Sequence, residues 1–240
     1  MFTGIIKAKC PIKEIVVSNG NYGALTIEHT DVLLYGLGLG DSVSVDGVCL
    51  TVSSIDGCNV VYDVIYSTLK RTIIGDYKVG QLANLERSLT MQTELGGHEV
   101  SGHVDSTATI ERIESTPGNL CLFFRLEQAL GKYIFPRGFI AINGVSLTIS
   151  DCLEGGSLFS IWLIPETLRI TNINELRNGD KVNVEIHRGV QVVVDTIEST
   201  ITKFLNGLIS SRIETNAVGD RTELLTLVEK LIPKLSLGAK

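Results

Sequence analysis

The stretch GDSVSVDGVCLTV at residues 40–52 returns in the same chain as RGFIAINGVSLTI at residues 137–149. In this register Gly47 matches Gly144, Cys49 matches Ser146 and Thr51 matches Thr148. Three further pairs follow in the same order: FTGII (2–6) with VSGHV (100–104), STLKRT (67–72) with ETLRIT (166–171), and VGQLANLE (79–86) with NGDKVNVE (178–185). A duplication of this length indicates one domain fold used twice. Two similar pockets can then hold two similar molecules.

The overall composition is that of an ordinary globular protein. Hydrophobic residues make up 44% and charged residues 20% of the 240 positions, and the length accommodates two repeated domains. The net charge is −6, from 21 basic and 27 acidic residues. The chain therefore lacks the basic character expected of a protein that binds nucleic acid or an anionic membrane.

The cysteines and the start of the chain favour the cytoplasm. The five cysteines are an odd number and include no CxxC pair, so neither a disulfide framework nor a zinc site is expected. The apolar run in MFTGIIKAKCPIKE is too short for a signal peptide, and nothing approaches the roughly 18 apolar residues of a membrane span. We expect a soluble cytoplasmic protein.

Short alternating segments dominate both repeats and predict strands. In the first repeat these are SVSVDG, CLTVSSI and NVVYDVIY, and in the second FIAING, SLTISD, LFSIWLI and KVNVEIH. Such spacing, with turn signals between the segments, predicts a mainly β fold with a small closed barrel in each repeat. The pattern breaks at SLTMQTELGGHE (88–99), so we predict one domain at residues 1–96 and the second at 97–190.

The tail is different and predicts a C-terminal helix within residues 191–208. Asp195 is the expected N-cap, with Glu198 three positions later as in a capping box. One apolar stripe follows at helical spacing: Val194, Ile197, Ile201, Phe204 and Leu208. The stripe fits either a helix packed on its own barrel or an oligomer contact. Residues 209–240 form an extension of unassigned role, in which TELLTLVEKLI (222–232) predicts another short helix before Pro233.

The matched GVCLTV and GVSLTI segments carry the candidate chemistry. Residues i and i+2 of a strand point to the same face, so Cys49 and Thr51 are expected on one pocket wall, and Ser146 and Thr148 on another. A lone buried Cys or Ser is often only part of a core. The repetition in both halves favours a functional wall.

The histidines of GGHEVSGHV are candidates of a different kind. His98 and His103 are five positions apart, and no cysteine or acidic cluster completes a metal site with them. His103 follows Gly102, which allows the backbone to approach a ligand closely. An imidazole there could act as an acid or base near neutral pH. GLGLG (36–40) lacks the GxGxxG spacing of a dinucleotide loop.

These motifs together resemble one family. MFTGII, GVCLTV, NLER, GGHEVSGHVD, NGVSLTI, LIPETL, KVNVEI and QVVVDTIE are similar, in order and spacing, to the alpha-type riboflavin synthases, over roughly residues 1–205. The resemblance implies two tandem, similar six-stranded Greek-key barrels. It implies the dismutation of two molecules of 6,7-dimethyl-8-ribityllumazine into riboflavin and 5-amino-6-ribitylaminopyrimidinedione, without a cofactor or metal. It also implies a homotrimer held by C-terminal helices, with lumazine synthase as a further candidate partner.

The resemblance assigns two substrate sites by motif. The first would use Gly4, Ile5, Ile6, Cys49, Leu50, Thr51, Asp63, Val64, Ile65, Tyr66, Ser67 and Thr68. The second would use Gly102, His103, Val104, Ser146, Leu147, Thr148, Trp162, Leu163, Ile164, Pro165, Glu166 and Thr167, with Arg137 where the family often has Lys. Each working site would form between the first barrel of one subunit and the second barrel of its neighbour.

The candidates for catalysis are His103, Ser146, Cys49 and Thr148, and the sequence leaves open which of them moves a proton. Two positions depart from the family pattern. Ser67 replaces the acidic residue that precedes TL, which Glu166 keeps in the second repeat. His187 stands where the family usually has an active-site Asp.

Two functional classes compete on these motifs. The first is the enzyme. The second is a non-catalytic ligand-binding protein like the lumazine-binding antenna proteins, in which the second site is degenerate. Because GVCLTV, NGVSLTI, His103 and the LIPET run are all intact, the sequence favours the enzyme. A purely structural barrel does not explain why polar positions repeat in register.

Overall fold

A computed structural model describes residues 1–18, 22–116 and 119–214. The chain divides into two units, Met1–Val194 and Asp195–Lys240. The first unit contains both repeats. The described part of the second unit is helical.

The described residues of the first repeat form a closed six-stranded barrel. Its strands follow the order β1-β2-β5-β4-β3-β6, and β6 pairs back onto β1 through Ala8 and Leu85. The strands are β1 (Ala8–Ser18), β2 (Tyr22–Glu28), β3 (Ser42–Val45), β4 (Val48–Asp56), β5 (Asn59–Ile65) and β6 (Leu82–Arg87). Helices α1 (Asp31–Leu34) and α2 (Tyr66–Arg71) and a 3-10 turn (Ile73–Asp76) connect them.

The described residues of the second repeat form a seven-stranded sheet curled into a half-barrel, in the order β10-β9-β13-β7-β8-β12-β11. The strands are β7 (Ser106–Thr116), β8 (Asn119–Arg125), β9 (Phe139–Ile142), β10 (Val145–Thr148), β11 (Cys152–Leu153), β12 (Leu158–Leu163) and β13 (Lys181–Ile186). The other elements are α3 (Pro165–Ile170) and the 3-10 turns Gln128–Tyr133, Glu154–Gly156 and Asn172–Glu175. The mainly β fold with two repeats is confirmed.

The two repeats differ from the expected pair of closed barrels at one strand. In the first repeat the continuous strand β4 pairs with both β3 and β5, with a register shift between Val52 and Ser54. The equivalent stretch of the second repeat is interrupted between Thr148 and Cys152, so β10 pairs with β9 and β11 with β12. Backbone bonds from Ser150 N to Ser160 O (2.8 Å) and from Ser160 N to Asp151 O (2.9 Å) lie in the gap.

Each repeat has its own apolar core, but each also contributes one segment to the other. Ile6, from the first repeat, is buried in the second core with Ile110, Leu122 and Ile142. Val104, from the second repeat, packs against the first core. The two segments meet where Phe2 N donates to Val100 O (2.8 Å) and Val100 N donates to Phe2 O (3.0 Å). The repeats are therefore interlocked, and the sequence boundary near residue 96 does not coincide with the packing.

A buried polar network joins the repeats around matched residues. Asn84 Nδ2 donates to Asn143 O (3.0 Å), and Asn183 Nδ2 donates to Asp46 O (2.8 Å). Asn172 Nδ2 donates to Asp46 Oδ1 (3.0 Å). These polar groups can be buried because nearly all of them are hydrogen-bonded. Loss of one partner would leave a buried polar group unsatisfied, which lowers stability. The network fixes the relative position of the repeats.

Helix α4 (Arg188–Glu214) begins earlier than the sequence predicts. The carbonyl of His187 accepts from Val190 N (3.0 Å) and Gln191 N (3.3 Å), which starts the helix there, and Asp105 pairs with Arg188 at 3.0 Å. Asp195 as N-cap is therefore wrong, because it lies inside the helix. The predicted helix at 222–232, like the rest of residues 215–240, lies outside the described residues. Within the described part, no helix is both long and apolar enough to cross a membrane.

Candidate functional site

The short segments that begin the two repeats, residues 2–6 and 100–104, each pack against the other repeat. Gly102 O accepts from Cys49 N (2.8 Å), and Gly4 O accepts from Ser146 N (2.8 Å). Both glycines have positive φ, and a Cβ on either would lie 2.5 Å from the Cβ of the side chain it faces. Only glycine allows this close approach. Each candidate wall is therefore covered by the other repeat.

This exchange corrects the expected grouping of the site residues. Grouping by repeat places Gly4, Ile5 and Ile6 with Cys49, and Gly102, His103 and Val104 with Ser146. The hydrogen bonds and cores show the opposite pairing, because Ile6 packs in the second core and Val104 against the first. Each of the two short segments therefore lies against the wall of the other repeat.

Two buried glutamates hold the exchanged segments in place. Glu86 accepts from Thr3 N (2.7 Å), Thr3 Oγ1 (2.6 Å) and Gly4 N (2.9 Å). Its counterpart Glu185 accepts in the same way from Ser101 N (2.6 Å), Ser101 Oγ (2.8 Å) and Gly102 N (2.9 Å). Burial raises the pKa of Glu86, and these hydrogen bonds act against that rise. The glutamates position the backbone that approaches Ser146 and Cys49.

The first site is a cavity of about 200 Å³ at the exchanged segment of the second repeat. It brings together the predicted Cys49, Ser67, Thr68 and His103. The full lining is Val48, Cys49, Ser67, Thr68, Arg71, Thr72, Gly102, His103 and Val104. The cavity is lined by hydroxyl, thiol and imidazole groups and by one guanidinium, without a carboxylate among its described lining residues.

The second site centres on a hydrogen bond between Ser146 and His98. Ser146 Oγ lies 2.6 Å from His98 Nδ1. The imidazole stacks on Phe139, with ring centroids 5.3 Å apart and planes at 15°, and His187 lies 5.6 Å away between ring centroids. Phe139 is directly opposite Thr148 in the β9–β10 pair. The ring is therefore fixed beside the face that carries Ser146 and Thr148.

The electrostatics keep His98 neutral. Burial, together with the nearby His187, lowers the pKa of His98 to about 4, and the side chain is 4% exposed. Its Nε2 atom is buried without a hydrogen-bond partner in the described residues. A neutral imidazole has one donor and one acceptor nitrogen, so His98 can accept the Ser146 hydroxyl proton or donate to its oxygen. The tautomer of His98 decides which of the two groups donates the hydrogen bond.

The remaining predicted residues differ in their exposure. On both strands the expected side-chain alternation is present, because Leu50 and Leu147 are buried while Thr51 and Thr148 are exposed on the opposite face. In β5, Val64 is buried and Asp63 accepts from Tyr22 Oη. Seven predicted residues are exposed: Ile65, Tyr66, Arg137, Trp162, Ile164, Pro165 and Glu166. Glu166 pairs with Arg169 at 2.6 Å. The backbone N–H of Arg137 donates to Ile149 O at 2.8 Å. Leu163 is buried and Thr167 half-buried.

Sequence reasoning missed His98 and Phe139 as parts of the second site and chose His103, which lies in the first. His98 precedes the VSGHV segment, so its counterpart in the first repeat would fall before Met1 and no repeat signal could mark it. Its position in GGHEVSGHV was the available clue. Among the described residues, no group of three or more His, Cys, Asp or Glu side chains is placed to hold a metal.

Comparisons with known proteins agree with this geometry. The family model described as the lumazine binding domain matches twice, at residues 3–88 and 101–187. Riboflavin synthase of Escherichia coli (strain K12) is 38% identical over 209 residues, covering 87% of this chain and 97% of the relative. Riboflavin synthase of the yeast Meyerozyma guilliermondii is 32% identical over 242 residues, covering 98% of this chain and 96% of the relative.

Among solved structures, the crystal structure of LumP complexed with 6,7-dimethyl-8-(1'-D-ribityl) lumazine has a TM-score of 0.71 and 26% identity. The match covers 78% of this chain and 99% of that one. The duplicated fold, the two matched domains and the relatives agree. The chain belongs to the riboflavin synthase family.

Proposed function

We propose that the protein is a riboflavin synthase, which converts two molecules of 6,7-dimethyl-8-ribityllumazine into one riboflavin and one 5-amino-6-ribitylaminopyrimidinedione. One lumazine transfers a four-carbon unit to the other, so the atoms balance without a third reactant. The observation that carries the proposal is the Ser146–His98 hydrogen bond of 2.6 Å at one of two matched walls. Two similar pockets fit a reaction whose donor and acceptor are the same molecule.

The reaction depends more on the positioning of the two lumazine molecules than on a strong base. The 7-methyl group of the lumazine is already acidic, because its anion delocalises into the ring. We assign Ser146, polarised by neutral His98, to proton transfer at this group, and Cys49 with Thr51 to the neutral polar wall of the facing pocket. Well-oriented reactants can supply roughly 7–11 kcal/mol of the barrier. The uncharged hydroxyls on both walls suit ribityl hydroxyls and ring carbonyls.

The working site is proposed to form between subunits of a homotrimer, the first barrel of one facing the second barrel of another. Exposed apolar side chains support an assembly of this kind. In α4 they include Ile197 (53% exposed) and Phe204 (66%), and at the end of β12 Trp162 (46%) and Ile164 (60%). Burying such side chains contributes roughly 1.5–3 kcal/mol each. The oligomer reading of the helix stripe is therefore preferred.

Two further expectations belong to this proposal. A cytoplasmic location is supported by the free thiols at all five cysteines, which suit a reducing compartment. Lumazine synthase stays a predicted partner, to be tested by co-purification of the two proteins.

The competing function is a non-catalytic carrier that binds a single lumazine, and the intact NGVSLTI and LIPET motifs of the second repeat argue against it. The decisive experiment incubates the full chain with 6,7-dimethyl-8-ribityllumazine alone and follows riboflavin fluorescence. One riboflavin should form for every two lumazines consumed, with the pyrimidinedione as coproduct. Lumazine binding without product would leave the carrier as the function.

A further inference from the structure

The two pockets differ in charge at matched positions of matched helices. Helix α2 follows β5 as α3 follows β12, and each is closed by a threonine whose hydroxyl donates to the carbonyl four residues back at 2.7 Å. In this alignment Ser67 corresponds to Glu166 and Arg71 to Ile170. The first pocket thus has a cation where the second has an aliphatic side chain, and a hydroxyl where the second has a carboxylate.

Arg71 is available to a ligand. It lines the first cavity with Ser67, Thr68 and His103, and among the described residues it makes no hydrogen bond or ion pair. The described lining of that cavity contains no carboxylate. In the second repeat the carboxylate of helix α3 is paired, because Arg169 donates to Glu166 at 2.6 and 2.9 Å. The neighbouring cation of the first helix, Lys70, lies over the Tyr66 ring at 5.5 Å and does not line the cavity.

A ribityl chain is uncharged, so neutral hydroxyl and backbone groups suffice to bind it, and a guanidinium is not required. Arginine is the side chain best matched to phosphate, since its planar fork can donate two parallel hydrogen bonds to phosphate oxygens. The hydroxyls of Ser67 and Thr68 add donors beside it. A ligand with a ribityl chain ending in phosphate would use all of these groups, whereas the unphosphorylated compound would leave Arg71 unused.

We propose that the first pocket binds ribityl heterocycles that carry a terminal phosphate, of the flavin mononucleotide class, with Arg71 on the phosphate, and that the second pocket does not. This rests on the proposed function, which places a ribityl heterocycle in each pocket. A phosphorylated flavin is what phosphotransfer to the product would generate. Bound in the first pocket, it displaces one of the two substrate molecules and slows turnover, so the pocket senses a reaction that consumes riboflavin.

The test titrates the full chain with riboflavin and with riboflavin 5′-phosphate and follows the quenching of flavin fluorescence. The wild-type protein should bind the phosphate about three- to tenfold more tightly, the range for a partly exposed charge-assisted pair. The preference should shrink at high salt. Arg71→Ile, which installs the residue of the second repeat, should remove the preference and leave riboflavin affinity within about twofold, by the same reasoning.

Three further variants make the result specific. Lys70→Ile removes a cation from the same helix and should keep the preference. Arg71→Lys keeps the charge without the fork and should retain part of it, which also guards against misfolding of the isoleucine variant. Glu166→Ser combined with Ile170→Arg should create a second phosphate-preferring site. The phosphorus-31 resonance of bound flavin mononucleotide should shift with Arg71→Ile and not with Lys70→Ile.

The outcomes separate the two proposals. Riboflavin binding without a phosphate preference, or a preference that survives Arg71→Ile, overturns the inference and leaves the synthase intact. Failure of both flavins to bind overturns the inference and the substrate sites together. Inhibition of turnover by flavin mononucleotide that weakens in Arg71→Ile supports the sensing role.

Discussion

Around the strands that carry Cys49 and Ser146, the second repeat has Phe139 and His187 where the first has Ser42 and Ser88. The backbone frame is the same in both, since Gly102 covers Cys49 as Gly4 covers Ser146, and Glu185 supports one segment as Glu86 supports the other. Duplication therefore accounts for the frame. A few side chains have diverged on this frame, and in the second repeat the hydroxyl of Ser146 has a buried imidazole partner.

His187 makes the contrast sharper. It stands where the resemblance predicts an acidic residue, and its ring lies 5.6 Å from that of His98. Burial is the main cause of the lowered pKa of His98, and the nearby His187 acts in the same direction. The described second site therefore has an imidazole at the position where the resemblance predicts a carboxylate.

The largest expected effect comes from separating the pockets of different subunits. Deleting residues 194–240 should give a monomer that still binds ligand, while turnover falls by at least about a hundredfold because no second heterocycle is held in register. Light scattering and the fluorescence assay measure the two properties. Deleting only residues 215–240 is the control and should preserve both. An active monomer would mean that the two pockets of one chain suffice.

The next prediction tests whether Ser146 and Cys49, at matched positions, play different chemical roles. Ser146→Ala should lower kcat about a hundredfold, the lower end of the range for a group that moves a proton, while ligand affinity changes far less. Cys49→Ala, at the matched position, should cost less than about tenfold, as expected from the loss of one neutral hydrogen bond. His98→Gln should resemble Ser146→Ala. Equal losses of kcat at residues 49 and 146 would contradict the assignment of proton transfer to Ser146.

These residues show which features of the fold and the site could be predicted from the sequence. Matching the repeats located the strands around residues 42–65 and 139–163, because side-chain alternation and glycine turns are local signals. It assigned Gly4 and Gly102 to the wrong partners, since a repeat shows which residues are equivalent and not which copy they touch. The long hairpins β1–β2 and β7–β8 were also passed over.

A smaller effect tests the exchange itself. Gly4→Ala and Gly102→Ala should each lower the free energy of unfolding by about 2–3 kcal/mol, since positive φ and a Cβ contact of 2.5 Å act together. Gly80→Ala is the matched control, because its φ is +86° but no atom lies within 4 Å. It should cost about 1 kcal/mol, which is the backbone strain alone. Urea denaturation measures all three.

The functional consequences of these two alanines should follow the exchanged pairing. Gly4→Ala should disturb Ser146 and lower turnover, whereas Gly102→Ala should weaken phosphate-preferring flavin binding beside Cys49. If Gly4→Ala weakened flavin binding and Gly102→Ala lowered turnover, the results would support the grouping by repeat. If Gly80→Ala cost as much as the other two, close packing between the repeats would not be the cause.

The smallest effect concerns the buried network, where Asp46 of the first repeat corresponds to Asn143 of the second. Asp46 is fully buried, and burial raises its pKa to about 7, although Tyr77, Asn84 and Asn172 donate hydrogen bonds to it. Its unfolded pKa is about 3.9, so the folded state favours the protonated form. This contribution to stability is present below about pH 4 and is lost as the pH rises through about 7.

We therefore expect the free energy of unfolding of the wild type, relative to Asp46→Asn, to fall by about 2 kcal/mol between pH 5 and pH 8. The comparison cancels His29 and His98, whose pKa values burial lowers to about 4 and which act with the opposite sign in both proteins. The asparagine can still accept from Asn84 and Asn172 through its side-chain oxygen. Asn143→Asp is the mirror variant and should introduce a similar dependence in the second repeat. Parallel stability curves for wild type and Asp46→Asn would mean that Asp46 is ionised in the folded protein, with the three donors of its network outweighing the cost of burying its charge.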